Sequence, residues 1–367
     1  MRALLAAFAL LVAIAAARAE TVTDLAGRSV ALPANAQRIL LGEGRVIAAL
    51  AILERDPTRR VVGMMGEFER YDPGGYAQYK AALPAIAKIP RVGRGTGESF
   101  SLEASLALAP DLAIFGLEGH GPTPKDRELI ERLEKAGVTV LFIDFRKEPL
   151  ANTPRSIELL GAALGRRAEA AAFTAFYRTE LQRVAERLPA NDANAPSVFI
   201  ENRVGLATEC CATMANGMMG RFVDFAGGRN IASALIPGSY GTLSLEWLLR
   251  NQPDVYIGTA IGSVAGGEQP GRIVLGVGAT PDAARASLQR ALQRTGIAEL
   301  KAVRDGRAYA IWHHFYNSPF NVAAVQAMAK WLHPQRFADL DPEATLRTAY
   351  ARFQPVPLAG TYWIGLK

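Results

Sequence analysis

Apolar residues in this chain fall into two alternating patterns, short unbroken runs and longer stretches where they recur every three or four positions. The runs at 38–41, 60–64, 112–115 and 138–143 predict buried strands, as do those at 197–200, 255–258 and 307–311. Helical spacing predicts helices at 46–53, 124–136, 222–225, 281–295 and 320–332. Strands alternating with helices of this length mean parallel sheets with crossover helices. Residues 21–30 alternate apolar with polar and predict a hairpin turning at Ala26-Gly27. Residues 67–80, with Phe68, Tyr71, Tyr76 and Tyr79, read as a polar, aromatic insertion. From 153 to 188 the pattern is helical, with a break near 161–165. Its second part, 166–188, lacks Gly and Pro, and about 23 residues at 1.5 Å each give a helix of roughly 35 Å.

One pattern occurs twice. Ser101-Leu102-Glu103, running on to Pro110-Asp111 and an apolar strand, returns as Ser244-Leu245-Glu246, running on to Pro253-Asp254 and another. In each copy a Ser is placed to cap a helix, a Glu suits the positive dipole end, and Pro-Asp ends the helix. An offset of 143 residues is too long for a solenoid and fits two similar lobes. The 367 residues also exceed what one compact core usually holds.

Composition refines the picture. Half the residues are apolar and 21% are charged, ordinary for a globular α/β protein. Arg2, the apolar run 3–17 and Ala17-Arg18-Ala19 have the form of a cleavable signal peptide, residues 1–19, with no lipid-accepting Cys after it. Removing Arg2 and Arg18 lowers the net charge from +6 to +4. That is too mild, and too free of Lys/Arg runs, for a nucleic-acid partner, and it weakly favours an anionic ligand. The cysteines are the adjacent pair Cys210-Cys211; a vicinal disulfide and two free thiols both remain open. Gly93-Arg94-Gly95-Thr96-Gly97 lacks the Lys-Ser/Thr of a phosphate-binding loop and reads as a tight turn. No H-E-x-x-H and no recognisable carboxylate pair argue for an enzyme. Met214, Met218 and Met219 read as packing, and His333 as structural.

The exported start, the opening Val22-Thr23-Asp24-Leu25-Ala26-Gly27-Arg28, the paired S-L-E…P-D segments and the single linking helix together resemble the periplasmic binding proteins of iron-complex and cobalamin ABC importers. The resemblance spans nearly the whole mature chain. It implies two Rossmann-like α/β lobes with parallel sheets, joined by a single long α-helix, with the ligand cleft between them. Expected boundaries are 20–150 for the first lobe, 151–190 for the linking segment, 191–335 for the second lobe and 336–367 for a tail packing back. The signal without a lipid-accepting Cys predicts a monomer in the periplasm of a Gram-negative cell. The resemblance implies that it has no permanent cofactor and passes a small-molecule iron complex to an inner-membrane permease. In that family a Glu on each lobe docks onto permease arginines, and Glu103 and Glu246 fall at those places.

Strand ends and the loops after them line such clefts. They point to Arg45, Arg94, Glu118 and His120 in the first lobe, and to Arg203, Tyr240, Trp312, His313, His314 and Tyr316 in the second. Aromatic rings for stacking, arginines for carboxylates or catecholates, and donors suited to iron fit a ferric siderophore. Haem and cobalamin are the alternatives. In siderophore-binding relatives a His and a Tyr of the second lobe complete the coordination of iron, and His313 or His314 and Tyr316 resemble that pair. Adjacent histidines in an extended segment face opposite ways, so one of the two is expected to face the cleft.

Overall fold

The structure, a computed structural model, describes residues 20–189, 192–206, 210–267 and 271–366. The stretch read as a signal peptide, 1–19, lies outside the described residues. Among those described, no helix is long and apolar enough to cross a membrane.

Strands β1 (Glu20–Thr23) and β2 (Ser29–Leu32) form the antiparallel hairpin predicted at the start. Its turn is held by Asp24, whose Oδ1 accepts from the Ala26 and Arg28 amides, and passes through Gly27 at φ 79°. The first sheet contains β3 (Ile39–Leu41), β4 (Val61–Met65), β5 (Arg91–Gly93), β6 (Leu112–Gly116) and β7 (Thr139–Ile143). All five are parallel, in the order β5-β4-β3-β6-β7. Strand order reverses between β3 and β6, which opens a crevice at their carboxyl ends.

The second sheet contains β8 (Ser197–Glu201), β9 (Ala212–Met214), β10 (Arg229–Asn230), β11 (Tyr240–Thr242), β12 (Val255–Ala260), β13 (Ala308–Trp312) and β14 (Trp363–Gly365). Its centre, β10-β8-β12-β13, is parallel, but β9, β11 and β14 pair antiparallel. The sheet is therefore mixed where all-parallel pairing was expected. Only a short loop separates β8 from β9, and a parallel return needs a longer crossover.

The repeat forms two matching helices. Ser101 caps Leu102–Ala107 through the Ala104 amide at 3.2 Å, and Ser244 caps Leu245–Arg250 through the Trp247 amide at 3.1 Å. Each leads into a central strand, β6 or β12. The expected insertion at 67–80 is instead two helices, Glu67–Tyr71 and Pro73–Ala82, the second begun by Pro73 and capped by Asp72 through the Gly75 amide. Cys210 and Cys211 form a vicinal disulfide.

The linking region also differs from expectation. Helix Pro149–Leu164 ends at Gly165, at φ 66°, and helix Arg167–Ala185 folds back antiparallel to it, so Gly161 meets Ala170. The second of these crosses between the lobes. Its 19 residues span about 28 Å rather than 35 Å, and it rests on its partner rather than standing alone. Arg166 reaches Glu54 of the first lobe at 3.0 Å, while Arg187, past the other end, reaches Asp339 at 2.6 Å. The tail adds a second tie. Helix Pro342–Phe353 packs Phe353 against Phe173, Gln354 bonds to the Ala48 carbonyl, and β14 then joins the second sheet. One apolar cluster consequently runs through both lobes along the linking helix.

Candidate functional site

A cleft of about 970 Å³ opens where strand ends of the two lobes face each other. From the first lobe, the loop after β6 supplies Glu118 and His120, and the loop after β7 supplies Arg146 and Lys147. From the second, the loop after β8 brings Asn202 and Arg203, the start of β11 brings Tyr240 with Ser239 just before it, and the turn after β13 brings His313 and Tyr316. At the mouth Tyr240 is 61% exposed. Ser239 donates to Glu118 Oε2 at 3.1 Å, one lobe to the other.

The floor is a buried charge network. Glu43, just after β3, accepts from Arg146 Nη2 with both oxygens at 2.9 and 2.8 Å, from Asn317 Nδ2 at 2.6 Å and from the His120 amide at 3.0 Å. Burial alone would raise its pKa, but Arg146, then His120 and Arg45, hold it at about 2. Beside it Arg45 donates to His314 Nδ1 at 2.6 Å and to the Tyr316 hydroxyl at 3.0 Å. Glu67 accepts from the Arg45 amide, and burial, aided by the charge of Glu43 and opposed by Arg45, raises it to about 7. The Arg146 guanidinium also lies 4.8 Å from the centre of the Tyr316 ring. Burial lowers the His120 pKa to about 4, and burial followed by the charge of Arg45 holds His313 and His314 well below the usual range. All three rings are neutral at pH 7, so the charged groups facing the cleft are Lys125, Lys147, Arg203, Glu118 and Arg146, the last paired with Glu43. At the mouth Lys125, Lys147 and Arg203 are exposed.

Of the residues predicted from sequence, the structure places His120, Arg203, Tyr240, His313 and Tyr316, with Glu118, on the cleft wall. Arg45 lies beneath the floor as a buried strut to the second lobe. His314 does not face the cleft. Its Nε2–H donates to the Tyr71 carbonyl at 2.8 Å while Nδ1 accepts from Arg45, so neither nitrogen is free to hold a metal. The two histidines do diverge, in a short 3₁₀ turn rather than an extended segment. Trp312 packs edge-on against His314, Phe315 and Tyr362, away from the cleft wall. Arg94 is exposed in its glycine-rich turn and lines no part of the cleft. Glu103 and Glu246 are exposed on their helices, Glu246 paired with Arg250 at 2.6 Å. His333 bonds to the Gly227 carbonyl, a structural contact as expected.

Sequence reasoning missed Glu43, Arg146 and Asn317. The available signal was position: Glu43 and Arg146 lie just past the ends of β3 and β7 and Asn317 closes the turn after β13, but only long-range burial shows that they meet. Among the described residues no group of three or more His, Cys, Asp and Glu side chains is placed to hold a metal ion.

Comparison with known proteins accords with this geometry. The TroA-like periplasmic binding protein FepB of Veillonella parvula matches at TM-score 0.82 and 27% identity, covering 95% of this chain and 99% of that one. The molybdate-binding protein MolA of Haemophilus influenzae is 22% identical over 356 residues, 90% of each chain. The cobalamin-binding protein of Halobacterium salinarum is 28% identical over 185 residues, 50% of this chain and 47% of that one. The chain thus spans about half the length of that curated relative. These relatives are binding proteins, not enzymes. The model of the family described as periplasmic binding protein matches residues 66–312, about two thirds of the sequence, and the chain belongs to that family.

Proposed function

We propose that the cleft captures an anionic metal chelate, foremost a ferric siderophore, and delivers it to an ABC permease from the periplasmic side. The observation that carries this reading is charge. Arg203, Lys125 and Lys147 at the mouth outnumber Glu118, the carboxylate on the wall, around one cleft of about 970 Å³, a size that suits a drug-sized ligand. The charge of Arg146 on the floor is balanced by Glu43. Guanidinium groups suit carboxylate and catecholate oxygens. Haem calls for a flat apolar slot with an axial Tyr or His, and a floor of Glu43, Arg146 and Asn317 is a poor slot of that kind. On the permease side, Glu103 and Glu246 are the docking carboxylates in this reading.

The test is the visible spectrum of the protein purified from its own periplasm, followed by fluorescence titration with a ferric tris-catecholate, haemin, cyanocobalamin and molybdate. A catecholate charge-transfer band, with tightest binding of the ferric complex, is expected. A Soret band, a corrin spectrum or tightest binding of molybdate overturns the assignment in favour of that ligand.

A further inference from the structure

We infer that Thr259 fixes the neutral His313 ring with its proton on Nε2, making His313 a hydrogen-bond donor to the cargo rather than a ligand to its metal. Thr259 lies on β12 and is fully buried. Its Oγ1 accepts from the Arg203 amide at 2.7 Å and lies 3.1 Å from His313 Nδ1. The amide can only donate, so the bond from Arg203 occupies a lone pair of the hydroxyl and leaves its proton to be placed. A buried hydroxyl proton seeks an acceptor, and among the described residues the side chain within reach is His313 Nδ1. Nδ1 then keeps its lone pair to accept, and the single proton of a neutral imidazole sits on Nε2.

The same ring lines the cleft, and Nε2 has no partner among the described residues. His314 obeys the same logic independently, since Arg45 also forces its Nδ1 to accept and Nε2–H donates to Tyr71. Thr259 does a second job. Arg203 holds φ 56°, a left-handed conformation that a non-glycine residue rarely adopts, and its amide is anchored by that hydroxyl. One threonine thus positions two cleft residues, one charged donor and one neutral donor.

Resting on the chelate reading, this specifies the cargo further. The cleft is built for a complex whose metal is already coordinatively complete and whose outer oxygens accept hydrogen bonds. It is not built for one with an open position awaiting a protein imidazole.

The first experiment uses no ligand. In ¹⁵N-histidine-labelled protein at neutral pH, a long-range ¹H–¹⁵N correlation spectrum resolves the four histidines of the chain, and His313→Gln assigns the ring in question. His313 should carry its proton on Nε2. Thr259→Ser should preserve its Nδ1 resonance, and the near-isosteric Thr259→Val should move that resonance toward an unbonded ring nitrogen. A proton on Nδ1, or an Nδ1 resonance indifferent to Thr259→Val, overturns the inference. The second experiment compares ferric complexes of a hexadentate tris-catecholate and a tetradentate bis-catecholate. His313→Gln, which keeps an N–H donor, should bind the hexadentate complex within about threefold of the parent, and His313→Ala should weaken binding on the order of tenfold. Preference for the tetradentate complex, with an imidazole-to-iron spectral change lost in both variants, also overturns it. If neither complex binds, the chelate reading fails, and the spectrum of the free protein alone decides the role of Thr259.

Discussion

Glu43 and Glu67 lie within one small network beneath the cleft, and burial and charge drive them opposite ways. Glu43 has a folded pKa of about 2 against an ordinary 4.5. A depressed carboxylate contributes stability that is present above 4.5 and lost as pH falls toward 2. Glu43→Gln removes the negative charge and leaves Arg146, only 5% exposed, as a buried cation without its counterion. Breaking a buried pair in this way costs about 3–5 kcal/mol, which urea unfolding at neutral pH should register. Glu67 is raised to about 7, chiefly by burial. Its native form therefore binds more protons than the unfolded chain between 4.5 and 7, and the associated stability is lost as pH rises through 7. Glu67→Gln cannot ionise, keeps an oxygen for the Arg45 amide and places an amide group where Oε2 is buried without a partner. Its melting temperature should gain on the parent's between about pH 5 and about pH 8. A difference that stays constant with pH would mean that Glu67 is ionised throughout.

At the scale of elements, the paired helices Pro149–Leu164 and Arg167–Ala185 depend on close approach. A Cβ added at Gly161 would lie 2.5 Å from the Ala170 Cβ and 3.0 Å from the Arg166 carbonyl oxygen. Alanine gains about 1 kcal/mol of helix propensity over glycine, but overpacking a fitted interface costs about 1–3 kcal/mol. Gly161→Ala should therefore lower the melting temperature, whereas relief of a merely exposed glycine would raise it. The Gly165 break was legible because glycine is the local signal for a helix stop. The antiparallel return was not, because its reason is a tertiary partner. The parallel strands β3, β4, β6, β7, β8, β12 and β13 were legible as buried apolar runs, and both S-L-E helices by their caps. Strands β5, β9, β10, β11 and β14, of two or three residues each, hold no such run. Residues 67–80 misled because Gly74-Gly75 and scattered tyrosines mask helical spacing, although Asp72-Pro73 is a helix start. In the site, the strand-end rule found His120, Arg203, Tyr240, His313 and Tyr316. It misplaced Trp312 and His314, since the facing of a side chain depends on the turn after β13, and it passed over Glu43 and Arg146, whose roles exist only as a pair.

Taken as a whole, the molecule is held together across the cleft by more than the linking helix. Arg45 bonds to His314 and Tyr316, Asn317 to Glu43, the Met218 amide to the Arg146 carbonyl, and Arg221 to Glu148. With the tail joining both lobes, these bonds tie together the lobes that carry the helices Leu102–Ala107 and Leu245–Arg250. That matters for the exposed carboxylates they carry. A first-turn Glu can serve the helix dipole alone, worth about 0.3–1 kcal/mol, and Glu246 already has Arg250 as a partner at 2.6 Å. An exposed i,i+4 pair is weak, about 0.3–0.5 kcal/mol, so it does not bar Glu246 from a permease arginine. Two matching carboxylates on a two-lobed receptor suit a twofold partner, which needs matched patches. Glu103→Ala and Glu246→Ala should leave ligand affinity intact, lower the melting temperature only slightly and reduce ATP-driven uptake in reconstituted vesicles. The double variant should transport less than either single one, and Glu→Arg at both sites less again through like-charge repulsion. Uptake unchanged in the double alanine variant would assign both carboxylates to their helices alone and place the permease contact elsewhere.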